Sequence, residues 1–265
     1  MAVGASWPLL NALTVQQRVI GALVLRDLRT RFGRTIFGAI IIVAWPLSHL
    51  ITLTIVYSFI RKLIPIGTDV TVFIATGVIP YILCLYPSRM IMLSLQSNKQ
   101  LLAFPIIKSV DIIAARAVVE IVAAFWVVAI YLLMLTLLDF PVWPQRPEDA
   151  VAAVLATIYL AFALGMLSAV MYALVRVWLG VHILIVILMY ISSGLFFVPS
   201  SLPQRLQDVL WFNPMLHAVE WLRSAYYDGY GYGLLDKGYL LGFATAALFI
   251  AMLLERLVRG RYLQT

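Results

Sequence analysis

Charge is scarce in this sequence of 265 residues: only 12% of residues are charged, against 63% hydrophobic and a mean hydropathy of +0.99. So few charges cannot clothe a soluble globule of this length, which makes lipid the main solvent for the fold. A single cysteine, Cys84, excludes an internal disulfide framework. A phosphate-binding loop is also missing. The one Lys-Ser pair, Lys108-Ser109, has Ile107 and Leu102 where such a loop needs glycine. His49, His182 and His217 are far apart and lack Asp, Glu or Cys at metal-ligand spacing, so no metal site or bound cofactor is expected. No apolar segment carries paired carboxylates, which argues against proton-coupled antiport and glycoside hydrolysis. Internal repeats and low-complexity linkers are absent too, leaving residues 1–265 as one transmembrane domain.

What is present is a series of apolar segments at 36–60, 70–96, 112–138, 150–176, 178–198 and 238–258. A bilayer core of ~30 Å needs about 20 mostly apolar residues per helix, so all six are expected to span. The first begins near residue 36, is too long for a signal-peptide core and has no Ala-x-Ala site after it, so it is expected to be retained. The fold class is an all-α membrane protein with six transmembrane helices. With the N-terminus taken as cytoplasmic, twelve Lys and Arg fall on the inside and six on the outside, with Arg89 inside the second span. That bias places both termini in the cytoplasm. The net charge of +7 is thus mainly a topology signal, and a nucleic-acid partner is not expected.

The interruptions carry the functional information. Residues 14–32 alternate Val15, Val19, Ala22 and Leu23 with Gln16, Gln17, Arg18, Arg26, Asp27, Arg29 and Arg31, the pattern of an amphipathic helix at the membrane interface. Either its arginines set topology and touch anionic lipid, at ~1 kcal/mol each, or Arg29, Arg31 and Arg34 receive the phosphate of a transported lipid, which guanidinium binds bidentately. Residues 97–108 hold Leu101, Leu102, Phe104 and Ile106 around Pro105. Four large apolar side chains in a polar connection suit a short helix that docks in a groove of a soluble partner or one that rests on lipid. In residues 199–229, Pro203 opens one half-apolar helix, and Asn213-Pro214 reads as N-cap and N1 of a second that stops at Gly229. Neither can span, so a re-entrant hairpin between spans five and six is expected, with Glu220 and Arg223 on its second helix.

Arg89 either snorkels toward the cytoplasmic interface or faces a polar cavity that suits an anionic substrate. Arg89, Trp45 and Tyr81 are the candidates for a translocation path, since aromatic faces match the apolar faces of pyranose rings. Arg116 and Glu120, four residues apart, are expected to form an ion pair on a helix surface.

Residues 23–50 (LVLRDLRTRFGRTIFGAIIIVAWPLSHL) resemble the N-terminal region of type-2 ABC exporter permeases, in particular the capsular polysaccharide export branch. Residues 98–120 (NKQLLAFPIIKSVDIIAARAVVE) resemble the cytoplasmic coupling region of these permeases, and residues 212–230 (FNPMLHAVEWLRSAYYDGY) their external re-entrant helices. The resemblance implies ATPase coupling through Asn98, Lys99, Gln100, Leu101, Leu102, Phe104 and Lys108. It further implies a homodimer in the bacterial inner membrane, bound to two nucleotide-binding ATPase subunits that hold the ATP and Mg. The cargo it implies is a lipid-linked polysaccharide, handed on to a periplasmic co-polymerase-type adaptor and an outer-membrane exporter. Trp45 stands where the branch often has an acidic residue, and Phe104 where it often has an arginine. An exporter of O-antigen, teichoic acid or a small hydrophobic compound would share most of these features. A membrane enzyme acting on lipid intermediates would need catalytic groups that the sequence does not display.

Overall fold

The computed structural model describes residues 8–31, 36–59, 69–230 and 233–262. Among them the regular elements are all helical: α1 (Pro8–Arg31), α2 (Ile36–Phe59), α3 (Val70–Ser97), α4 (Ser109–Leu137), α5 (Pro147–Leu174), α6 (Trp178–Ile191), α7 (Gln204–Leu210), α8 (Pro214–Tyr226) and α9 (Lys237–Tyr262). Two short 3-10 turns, Lys99–Ala103 and Pro199–Ser201, join α3 to α4 and α6 to α7. Helices α3, α4, α5 and the Lys237–Val258 part of α9 are long and apolar enough to cross a membrane. The continuously described part of α2, Val43–Tyr57, and α6 are shorter apolar helices.

Helix α3 is the centre of the bundle and packs most extensively along α5, then α4. The α3–α5 approach rests on small residues. A Cβ added at Gly165 would stand 2.8 Å from Ile91 Cβ and 3.1 Å from Ser88 Cα, so only hydrogen fits there. One core cluster joins Leu50, Phe73, Ile82, Tyr131, Leu160 and Leu222. A second, which includes Ile91, Leu95, Ile113 and Met166, takes Leu23 of α1, so α1 packs onto the bundle through its Val19–Leu23 side.

The sequence reading runs a fifth span over 178–198, but the helix ends at Ile191. At 14 residues it is about 21 Å long by the 1.5 Å rise. The hydroxyls of Ser192 and Ser193 bond back to Leu188 O (2.6 Å) and Tyr190 O (2.8 Å), and Gly194 then turns with φ of 77°. That left-handed conformation ends the helix although Leu195, Phe196 and Val198 continue the apolar run.

Side-chain pairs sort the two ends of the bundle. At one end, α1 meets the α3–α4 connection and the start of α4, which in turn meets the end of α9: Arg26 bonds Asn98, Gln16 bonds Asp111 (2.9 Å), and the Ser109 hydroxyl donates to Glu255. At the other end, Asp149 at the start of α5 accepts from Lys237 of α9 (2.8 Å) and Trp221 of α8 (3.1 Å). Alternate connections therefore gather at opposite ends.

Candidate functional site

The candidate coupling segment 97–108 is held by polar contacts that local sequence does not announce. Asn98 is buried, donates to Ser94 O (2.9 Å) and accepts from the Arg26 guanidinium of α1. Arg26 also pairs with Asp27 (3.1 Å), and Asp27 with Arg116 of α4 (3.3 Å). Arg116 continues to Glu120 (3.5 Å). That pair forms at the expected spacing, but it lies inside the packing of α1 on α4, with the Glu120 side chain 4% exposed, not on a helix surface. The chain Asn98–Arg26–Asp27–Arg116–Glu120 thus ties the α3–α4 connection to α1 and α4. Asp27 and Asp111 are functional candidates missed in the sequence. Asp111 closes the segment by accepting from the Lys108 amide (3.0 Å).

The apolar residues of the segment divide. Leu101 and Leu102 turn inward and pack against the Ile91–Leu95 cluster. Phe104 and Ile106 are 58% and 59% exposed. The sequence reading offers Leu101 and Leu102 to a partner along with Phe104. The chain takes a tight 3-10 turn at Lys99–Ala103 in place of an amphipathic α-helix, which leaves Leu101 and Leu102 partly buried against the bundle. The surface open to a partner is Phe104-Pro105-Ile106, with Lys99, Gln100 and Lys108 exposed beside it.

Among the candidates for phosphate binding on α1, Arg29 is exposed. The Arg31 side chain and Arg34 lie outside the described residues. Of the path candidates, Trp45 and Arg89 line one cleft of about 220 Å³ between α2, α3 and α4, together with Tyr86 and Glu120. Tyr81 is not part of it. Its ring is buried against Tyr190 (3.8 Å between centroids) and His49 (5.9 Å), so it belongs to the packing of α2, α3 and α6.

At the opposite end, α8 starts where the sequence predicts: the Asn213 side chain accepts from Met215 N (2.9 Å) and Pro214 takes the first helical position. Both helices are half-apolar in composition, as the sequence reads them, but they differ in burial. Residues 214–225 are all buried, whereas α7 buries none. Burial of Arg223 is possible because its guanidinium donates to Gly194 O (2.5 Å), Leu195 O (2.8 Å) and Phe197 O (3.3 Å) and lies 3.9 Å over the Phe73 ring. Gly77 leaves room for it, since a Cβ there would meet Arg223 Nη2 at 3.0 Å. Glu220 stands 3.7 Å from Arg223 and accepts from the Tyr230 hydroxyl. Burial raises the Glu220 carboxyl above its usual range, against the pull of Arg223 and Tyr230. The group is a buried lock on the turn after α6. It has no exposed face for a substrate.

The profile of the family described as ABC-2 type transporter matches residues 18–227, which takes in α2 to α8 and most of α1. The capsule polysaccharide export inner-membrane protein CtrC of Neisseria meningitidis serogroup A is 28% identical over 226 residues, covering 82% of each chain. The polysialic acid transport protein KpsM of Escherichia coli is 27% identical over 253 residues, covering 93% of this chain and 95% of its own. The capsule polysaccharide export inner-membrane protein BexB of Haemophilus influenzae is 27% identical over 221 residues, or 82% of each. The match spans the candidate coupling segment, the α2–α4 cleft and all of α8: the chain belongs to the ABC-2 type transporter family.

Proposed function

We propose that this chain is the permease subunit of an ATP-driven exporter that moves a lipid-linked capsular polysaccharide across the bacterial inner membrane. The observation that carries the reading is its similarity, over most of its length, to relatives named for capsule polysaccharide export and polysialic acid transport. In this reading α2, α3, α4, α5, α6 and α9 are the six spans, and α1 lies in the cytoplasmic interface. Helices α7 and α8 form the re-entrant hairpin outside, and both termini are cytoplasmic. The twofold excess of Lys and Arg on the connections at the α1 end supports that orientation.

The working unit is a homodimer with two copies of a separate ATPase, which binds the ATP and Mg. Closure of the ATPases presses on Phe104-Pro105-Ile106. The Asn98–Arg26 and Asp27–Arg116 contacts pass the displacement to α1 and α4 together, so the helical halves shift as bodies. Arg29, Arg31 and Arg34 take the lipid phosphate at the cytoplasmic leaflet, and the Trp45–Arg89 cleft offers an aromatic face and a cation to the anionic glycan. A periplasmic adaptor and an outer-membrane exporter complete the route.

The test is a strain lacking this gene. Lipid-linked capsular polysaccharide should accumulate inside the cell, and surface polysaccharide should return on complementation. Accumulation of an O-antigen or teichoic acid intermediate, or an unchanged capsule, overturns the assignment.

A further inference from the structure

At the α1 end of the bundle, a pocket of about 190 Å³ opens between the last turn of α3, the Lys99–Ala103 turn and the last turn of α5. It is roughly six times the ~30 Å³ share of one liquid water, enough for a tetrahedral anion with its first solvent. Lys99, Arg176, Gln96 and Tyr172 supply polar donors on its walls, and Leu95 and Leu102 supply apolar surface. No carboxylate among the described residues lines it. Among the described residues neither Lys99 nor Arg176 shares an ion pair. Among these residues two cations face one small volume without a counter-charge.

The surroundings say which anion fits. Arg176 sits between exposed Val175 and Val177, with Trp178 next, an arrangement that suits the level where acyl chains meet headgroups. From that corner Val177, Val181, Leu184, Leu188 and Ile191 form an exposed stripe at helical spacing along α6. A cationic pocket that adjoins an unbroken apolar stripe is complementary to an amphiphile with a phosphate at its head.

We propose that this pocket binds the phosphodiester of an anionic membrane lipid, Lys99 and Arg176 holding the phosphate and the acyl chains lying along α6. Basic pockets between helices on the cytoplasmic side suit such headgroups. Since Lys99 lies in the turn that carries Phe104 and Ile106, an occupied pocket steadies the coupling segment from its membrane side. The inference goes beyond the exporter reading, and rests on it only for placing the pocket at the cytoplasmic leaflet.

Native mass spectrometry of the full-length chain, titrated with phosphatidylglycerol or phosphatidylcholine, tests it. Wild type should retain phosphatidylglycerol in clear preference. Lys99→Gln/Arg176→Gln should weaken that binding about thirtyfold, as the loss of two basic contacts with anionic lipid implies. Lys99→Arg/Arg176→Lys should keep it, as should Arg205→Gln/Arg256→Gln, which removes two charges elsewhere. Equal retention by wild type and the double glutamine variant, or equal binding of phosphatidylcholine, overturns the proposal. Export in cells is scored separately, so lipid binding with no export sinks only the exporter reading.

Discussion

Single side chains at the α8 end set the terms on which a charged helix is buried. Arg223 is fully buried, and its worth lies in the carbonyls it caps. Arg223→Met orphans those carbonyls and leaves Glu220 without its cation, a loss of about 3 kcal/mol for a broken buried pair. Glu220→Gln costs less, because burial already disfavours the charged carboxylate. The melting temperature of the purified protein should therefore fall further for Arg223→Met than for Glu220→Gln. His217 gives a pH dependence. Its Nε2 lies 2.7 Å from Trp211 O and its Nδ1 accepts from the Asp236 amide (3.1 Å), so the ring is held neutral, with the proton on Nε2. Burial lowers its pKa below 6.5, although Trp211 and Asp236 pull the other way. The stability it contributes is whole above pH 6.5 and is lost as pH falls and the unfolded imidazole takes a proton first. Thermal melts in detergent should show stability dropping on the acid side of pH 6.5, with a shallower drop in His217→Gln. The cap at Asn213 was legible in the sequence because cap and amide are two residues apart. Asp27–Arg116 was not, because its partners are brought together by the packing of α1 on α4.

At the scale of elements, packing decides what pattern alone leaves open. The close approach of α3 and α5 at Gly165 predicts that Gly165→Leu drives a side chain into Ile91 and lowers stability by about 1–3 kcal/mol, read as a lower melting temperature and less folded protein on extraction. The coupling segment predicts a split between neighbouring residues. Phe104→Asp or Ile106→Asp should leave the melting temperature unchanged while weakening ATPase co-purification about tenfold, roughly 1.4 kcal/mol of lost contact. Leu101→Asp should lower the melting temperature itself, because Leu101 packs against the core cluster that includes Ile91 and Leu95. Equal behaviour of the three variants would refute the division. In the sequence these apolar residues look alike, since a 3-10 turn and an α-helix aim the same residues in different directions. The end of α6 was hidden for a related reason: hydropathy continues through Leu195 and Phe196, and only the left-handed turn at Gly194 stops the helix. Long periodic segments, by contrast, could be read directly, and α3, α4 and α5 fall where the apolar runs place them.

For the whole molecule, the sorting of contacts into two ends makes topology testable with one substitution as background. Cys84 is the only cysteine and is buried, so Cys84→Ser gives a chain without thiols. A cysteine placed at Gln100 should resist a membrane-impermeant maleimide in intact spheroplasts, and one at Asp208 should react; the reverse pattern overturns the orientation. Helix α6 stands apart within this architecture. It buries only His182 and Val186. His182 is fastened to Ser168 (2.9 Å) near one end, and Met189 O and Ser192 accept from Asn213 (2.9 Å each) at the other. A rod pinned near both ends and buried between them only at Val186 has one soft degree of freedom, a sideways bowing of its middle. Such bowing breaks neither fastening and disturbs little buried surface beyond Val186, so the width of the space beside α6 can change while α3 and α5 keep their registry.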